Sequence, residues 1–552
     1  MNHQTQKLVD LWLNSTLVSD QDKQEISKMN QAELSCAFSD QPLKFGTAGI
    51  RAVTGVGTQK LNLFVYRRIA TGYAHFLKIK SKEKRPIAII VHDNRANGAF
   101  YARSCAEVLA AYDIEVYLAP NNQLLATPII SYWIRKLQAT GGINITASHN
   151  PKAYNGFKAY NSNGVQVNDQ EADLIVTHMP DNLKIFDLKF NPNSNLIKFL
   201  PDDTIQQFYD QILHHLAIEK NPELKDLAVL FSSHHGVGSQ TVKNLARQMG
   251  YHHFQEFESE CNVTANYDDH EITNPEEPKS FAPMIQLANQ KQINYLMAVD
   301  PDGDRFAMAE RQLDQSFYFF NGNENGILLI AYLIATNKIN SQNYVVSSYV
   351  TNNFIDRLLA KHQVPIFRTG TGFKLIAQEV ENQERLNKKL LLAFEEAIGV
   401  LLMPFNREKD GYQAIATSLE MISYYQKQNL LLTDVLNNLY HQFGHWFGTT
   451  HAFVINDSNW KQLMQEKLEQ LKNTKQKFIG NHPIKQIAWN EINNCLDWIL
   501  DDDNWIRFRL SGTEPKLKIY YNLYGSDQNQ LRAEINMIKN QLVSLLQLEK
   551  YL

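Results

Sequence analysis

Apolar positions along this chain fall into two patterns, short unbroken runs and stripes at three- and four-residue spacing. Ile87–Val91, Glu115–Leu118, Ile143–Ile145, Leu227–Ser232, Tyr295–Val299, Tyr344–Ser347 and Leu390–Phe394 are runs of strand length. Such runs predict strands buried on both faces. Between them lie helical stripes: Leu8, Leu11 and Trp12; Val65, Ile69 and Phe76; Ala99, Ala102, Ala106 and Leu109; then Thr204–Leu216 and Ile327–Ala335. Ser19-x-x-Asp22 predicts a helix cap. Strands separated by helices imply mainly parallel sheets, which bind ligands outside the carboxyl ends of their strands. A helical segment rich in Leu, His and Gln follows at Gln428–Trp446. The chain closes on strands at Trp505–Arg509 and Leu517–Tyr520 and on a helix with Ile535, Ile538, Leu542 and Leu545 on one stripe.

Three of the buried runs end in chemically loaded loops, consistent with three related α/β units. Ile143–Ile145 opens into Thr146-Ala-Ser-His-Asn-Pro151 and then Tyr154-Asn-Gly-Phe-Lys158. A serine is a weak nucleophile unless its proton is removed or its product charge is stabilised. In a strand-to-helix turn, Ser148 would meet a helix N-terminus, where free N–H groups favour a phosphate. Tyr295–Val299 runs into Asp300-Pro-Asp-Gly-Asp-Arg305, three carboxylates that would repel strongly without a cation. Hard divalent cations take such oxygen ligands, and no Glu stands where an EF-hand needs its twelfth ligand. Leu390–Phe394 ends in Glu395-Glu-Ala-Ile-Gly399, a pair of carboxylates at a strand end that in isolation reads as surface charge. Near the end, Arg509-Leu-Ser-Gly-Thr-Glu-Pro-Lys516 combines a bidentate guanidinium, hydroxyls and a glycine that admits an anion to the backbone.

Composition narrows the classes. At 552 residues, with 44% hydrophobic and 20% charged positions, the chain is folded and multidomain rather than disordered. A formal charge of −4 gives no footprint for nucleic acid or an anionic membrane. Four scattered cysteines (Cys36, Cys105, Cys261, Cys495) suit a reducing compartment and lack metal-site spacing. The first residues lack the order of a signal peptide, and Ile327–Ile334 is far short of a membrane span. The expectation is a cytoplasmic protein.

The ordered set of loops resembles the α-D-phosphohexomutase family, phosphoglucomutase and phosphomannomutase among them. The resemblance spans nearly the whole chain and includes Lys44-Phe-Gly-Thr-Ala-Gly-Ile-Arg51 and Thr369-Gly-Thr-Gly-Phe-Lys374. It implies an α/β fold: three related mixed or parallel-sheet α/β domains and a smaller C-terminal α+β domain around a central cleft. The expected domains are 1–205 with the phosphoserine, 206–316 with the metal, 317–435 for the sugar and 436–552 for the second phosphate.

The resemblance implies that Ser148 carries a phosphate and that Mg²⁺ sits on Asp300, Asp302, Asp304 and the phosphoserine, with Arg305 in support. Arg51, His149, Lys158 and Lys374 would serve charge stabilisation and proton transfer, in an order left open. Glu395 would bind hydroxyls, and Arg509, Ser511, Gly512, Thr513 and Lys516 the phosphate that is not reacting. His235-Gly-Val-Gly238 and Asn274-Pro-Glu-Glu277 match motifs of the second unit and read as mostly architectural. The implied reaction exchanges the 1- and 6-phosphates of glucose or mannose through a sugar bisphosphate, with small sugar phosphates as partners, no nucleic acid or membrane, and the oligomeric state left open. Ala397 stands where many members carry serine, and Glu395-Glu-Ala-Ile-Gly399 looks more like the branch of phosphopentomutase-like members. Pentose phosphates are therefore the alternative substrates; a phosphohydrolase and a non-catalytic sensor are the alternatives from other classes.

Overall fold

The computed structural model describes residues 2–551 except 42, 47, 48, 83, 220, 221, 268–272, 456, 458, 502 and 512–514. Two compact units emerge: Met1–Phe319 with Gly399–Leu419, and Phe320–Ile398 with Glu420–Leu552.

The first unit is built on two sheets. One has six strands in the order Ile50–Val53, Tyr154–Asn161, Gly141–Ile145, Ile87–His92, Glu115–Leu118, Ile197–Phe199. The last four run parallel, while Tyr154–Asn161 is antiparallel to both of its neighbours. The helices His3–Asn14, Leu63–Ser81 and Gly98–Ala111 contribute to one continuous apolar core. Asn62 caps the second of these by accepting from the Val65 N–H, and Ser19 caps Asp20–Lys28 as its spacing predicts. The other sheet is ordered Phe317–Phe320, Phe306–Arg311, Tyr295–Val299, Val229–Ser232, Phe254–Glu256. Its middle strands are parallel, and Phe306–Arg311 folds back antiparallel.

Residues 399–412 return to this unit as a strap. Glu408 accepts from the Tyr160 hydroxyl (3.0 Å) and the Gln166 amide (2.6 Å), and the Gly411 N–H donates to the Gly303 carbonyl (3.2 Å). Arg407, Glu408 and Asp410 are all buried, so this charged run is interior structure rather than a solvated loop.

In the second unit, Asn343–Ser348 pairs in parallel with Ile366–Thr369 and Lys389–Phe394. The C-terminal sheet is an antiparallel meander ordered His445–Val454, Lys516–Gly525, Trp505–Leu510, Cys495–Ile499, Gln486–Asn490. One of its faces packs on the helices Trp460–Lys472 and Gln528–Leu546. The other meets the loop after Ser348: the Arg507 guanidinium lies 3.7 Å from the Tyr349 ring centroid and donates to its carbonyl, and the Tyr349 hydroxyl donates to Asp497 (2.5 Å).

Two expectations need correction. The Ser148 loop leads into a strand, Tyr154–Asn161, and not into a helix. Tyr154, Phe157 and Tyr160 favour extended backbone, and Asn155-Gly156 disfavours helix. On the last helix, Leu545 is 43% exposed, and Leu546 completes the stripe. At about 100° per residue, position 546 lies about 20° from Ile535 around the axis, whereas 545 lies about 80° away.

Candidate active site

Ser148 stands at the carboxyl end of Gly141–Ile145 in the left-handed region, with φ of +53°. Its own N–H donates to the Thr146 hydroxyl (2.9 Å), a local turn bond that helps hold this conformation. Its Oγ donates to Asp300 Oδ2 (2.6 Å) and lies 3.2 Å from His149 Nδ1. The serine is 1% exposed.

The aspartate loop is shaped by its glycine and its backbone. Gly303 has φ of +72°, and its N–H donates to the Asp300 carbonyl (2.8 Å). The N–H groups of Asp304 and Arg305 both point at Asp300 Oδ1, at 3.1 and 3.0 Å. One oxygen from each of Asp300, Asp302 and Asp304 falls within a group 4.8 Å across, and all three residues are buried. Arg305 reaches away from the triad, to Asn274 Oδ1 and Glu276 Oε2 at 3.3 Å each.

Lys158 offsets part of the cluster's charge. Strand pairing sets it opposite Asn144, and its Nζ lies 2.7 Å from Asp302 Oδ2 and 3.0 Å from Asp304 Oδ2. The Thr127 hydroxyl also donates to Asp302 Oδ2 (2.6 Å). Lys409, on the strap, lies 3.4 Å from Asp304 Oδ1. Burial works against the Lys158 charge, but Asp302 and Asp304 overcome it and hold the ammonium above its usual range. Asp302 is pushed up by burial, but Lys158 and Thr127 outweigh this and keep it well below the usual carboxylate range. At Asp300 burial first, then repulsion from Asp304 and Asp302, outweighs the pull of Arg305 and Lys409 and pushes its carboxyl up to about 8. His149 is driven well below its usual pKa by burial and by Arg305, Arg51 and Lys409, so its imidazole is neutral.

This donor set fits a hard divalent cation. Asp302 Oδ1 is buried without a hydrogen-bond partner, Asp304 Oδ1 has the Lys409 ammonium at 3.4 Å, and the cluster offers oxygen ligands only. A neighbouring glycine supports the loop. A Cβ on Gly236 would stand 2.2 Å from Pro301 Cα and 2.3 Å from its carbonyl oxygen, and the Val237 N–H donates to that oxygen (2.9 Å). Gly236→Ala is therefore expected to push Pro301 and weaken Mg²⁺ or Mn²⁺ binding about ten- to hundredfold, the range seen when a group supporting metal ligands is lost. Titration calorimetry would check it, and unchanged affinity would refute the link.

The remaining expected residues are placed as follows. Arg51 donates to Asn150 Oδ1 (2.7 Å), so it braces the loop beyond Ser148 and makes no bond to the serine itself. In the second unit, Glu395 is buried at the end of Lys389–Phe394, and Glu396 accepts from the Ser348 hydroxyl (2.7 Å). Lys374 lies in the first turn of the helix Phe373–Arg385. Arg509 stands on Trp505–Leu510 and bonds Tyr520, and the Ser511 N–H donates to the Lys516 carbonyl (2.9 Å). Gly512 and Thr513 lie outside the described residues.

Sequence reasoning missed Lys409, Thr127 and Arg95. Arg407-Glu-Lys-Asp-Gly411 offered one signal, four charges between two apolar segments.

The chain matches the models of phosphoglucomutase/phosphomannomutase α/β/α domains I, II and III over residues 42–185, 206–313 and 321–443. It is 38% identical over 543 residues to a phosphomannomutase of Mycoplasmoides pirum, covering 98% of this chain and 99% of the relative. Against a Staphylococcus aureus phosphoglucomutase it is 30% identical over 518 residues, 90% of this chain and 92% of the other. Its fold is similar to the solved open form of the Paramecium phosphoglucomutase parafusin, with a TM-score of 0.68 at 20% identity, covering 93% of this chain and 96% of that one.

Proposed function

The chain belongs to the α-D-phosphohexomutase family and is a phosphotransferase of the mutase type, and on that premise we propose that Ser148 is its phosphate carrier in exchanging the 1- and 6-phosphates of glucose or mannose. The observation behind the proposal is the Ser148 Oγ held 2.6 Å from Asp300 at the edge of a buried three-carboxylate cluster. A structural serine needs no such neighbours.

In the proposed cycle, phosphorylated Ser148 yields its phosphoryl group to the free hydroxyl of a sugar monophosphate. The Oγ–P bond breaks, a bond to the sugar oxygen forms, and the hydroxyl proton leaves to a base. We assign that role to His149 because its Nδ1 lies 3.2 Å from Oγ, while burial and the nearby Arg305, Arg51 and Lys409 lower its basicity. Lys158 holds positive charge against Asp302 and Asp304 beside the transfer. Asp300, Asp302, Asp304 and the phosphoserine would hold Mg²⁺, which when bound offsets charge on the transferring group. Arg51 braces the loop through Asn150. In the second unit Glu395 would bind sugar hydroxyls, with Arg509, Ser511 and Lys516 on the phosphate at rest and Lys374 a further cation. The sugar bisphosphate then returns its other phosphate to Ser148.

A coupled mutase assay on glucose 1-phosphate and mannose 1-phosphate, primed with the matching bisphosphate, tests the reading. Turnover that depends on primer supports it; release of inorganic phosphate at the turnover rate would make the chain a phosphohydrolase instead.

The pentose alternative has no support, because the relatives named above are a phosphomannomutase and a phosphoglucomutase. Ala397 is half-buried beside Glu396 and is the place to test preference between hexoses. Ala397→Ser adds one hydroxyl and is expected to change the ratio of kcat/KM for glucose and mannose phosphates by up to about tenfold. Identical ratios before and after would remove this loop from the account of specificity.

A further inference from the structure

The tripeptide Asp93-Asn94-Arg95 ends the strand Ile87–His92 and is buried, Arg95 to 4% exposure. Burying a guanidinium is costly unless its donors are met. Here a single loop meets four of its five N–H groups, and Nε is left with only the Asp93 carboxylate nearby. Nη2 donates to the carbonyls of Ser148 (2.7 Å) and Asn150 (2.6 Å), and Nη1 to those of Pro151 (3.1 Å) and Tyr154 (2.7 Å). Nε lies 3.5 Å from Asp93 Oδ2, and Asp93 Oδ1 accepts the backbone N–H of Arg95 (2.9 Å). Asn94 turns the other way and donates to the carbonyls of His235 (2.8 Å) and Thr264 (2.6 Å).

The loop so gripped contains Ser148 in a left-handed conformation that L-residues with a Cβ avoid. The local bond from the Ser148 N–H to Thr146 Oγ1 is a modest restraint for a loop that must repeatedly gain and lose a dianion. Four charge-assisted bonds from one planar group are a stronger one. Both the serine's own carbonyl and that of Asn150 lie under the same nitrogen, so the clamp bears directly on the torsions that aim Oγ at Asp300.

We propose that Arg95 is a positioning residue for phosphoryl transfer, fixing the backbone of Ser148 so that Oγ and its phosphate stand against the aspartate cluster. This rests on the reading of Ser148 as the phosphate carrier. Lysine cannot replace the arginine, because an ammonium has no planar fork to span four carbonyls.

The test is Arg95→Lys, with kcat and KM for the sugar phosphate, thermal unfolding, and the ³¹P NMR resonance of the phosphorylated protein. The expected result is a kcat lower by about 100-fold, as for a misplacement of about 1 Å. KM should stay near the parent value, and the phosphoserine resonance should shift or broaden. A folded Arg95→Lys protein with parental kcat and resonance overturns the proposal, as does a loss confined to KM. Should the lysine form unfold, Arg95→Ala refolded with methylguanidinium replaces it: kcat rising with the guanidinium at constant KM supports the clamp. Refolding without recovery of kcat overturns it. A parent protein that turns over sugar phosphates with no phosphoserine resonance would instead overturn the carrier reading, whatever Arg95 does.

Discussion

Ser148→Ala is expected to reduce mutase turnover by about 10⁵-fold or more, equivalent to about 7 kcal/mol of barrier at 1.36 kcal/mol per decade. A covalent carrier leaves no partial route: without Oγ there is nowhere to lodge the phosphoryl group between its two transfers. Oγ is also the atom that bonds Asp300 at 2.6 Å, so its loss removes a contact of the aspartate cluster without touching the apolar core. The variant should fold, should bind sugar phosphate, and should never gain the mass of a phosphoryl group when incubated with bisphosphate. Intact-mass spectrometry beside the coupled assay reads both. An alanine form with even a tenth of parental kcat would end the phosphoserine mechanism.

Asp302→Asn is the second large effect. Asp302 is the carboxylate held well below the usual range, because Lys158 and Thr127 overcome the cost of its burial. One of its oxygens takes both of those bonds, while Oδ1 has no hydrogen-bond partner. The amide removes the negative charge and one cation ligand together. The expected outcome is a kcat lower by about 10³-fold, or about 4 kcal/mol, at saturating sugar phosphate, with a strongly raised Mg²⁺ requirement. A metal titration of kcat that superimposes on the parent's would show that the triad is not the cation site.

Much of the fold was legible in the sequence, because unbroken apolar runs have few other uses. Glu115–Leu118 and Tyr295–Val299 match the observed strands residue for residue, and Ile87–His92 and Lys389–Phe394 run one residue beyond their predicted ends. The element after Ser148 is not legible in the same way: the loop's chemistry suggests a helix while its aromatic residues favour the strand Tyr154–Asn161 that forms. In the site, the serine and the aspartates were legible because each is a dense local string. Arg95, Thr127 and Lys409 were not. Each acts through contacts to a segment far away in sequence: Arg95 through four bonds to the loop around Asn150, Thr127 to Asp302, Lys409 to Asp304. A lone arginine at a strand end has no local signature for the carbonyls it will collect. Its motif marks Arg51, but the bond to Asn150 is not legible there, because it depends on how the edge strand Ile50–Val53 registers with Tyr154–Asn161.

The strap at residues 399–412 carries a consequence for how the protein is made. The compact unit that holds Ser148 and the aspartates takes Gly399–Leu419 as part of itself. Glu408, Lys409 and Gly411 supply its contacts to Tyr160, Asp304 and Gly303. On a ribosome, residues up to Phe319 emerge well before those partners do. Domains fold as units, the earlier part generally first during synthesis. The unit that holds Ser148 is therefore a nascent one that waits, with Tyr160 and Asp304 lacking their later partners, until about three-quarters of the chain has been translated. Chains truncated before residue 399 should expose this unfinished surface, and chains extended past residue 419 should not.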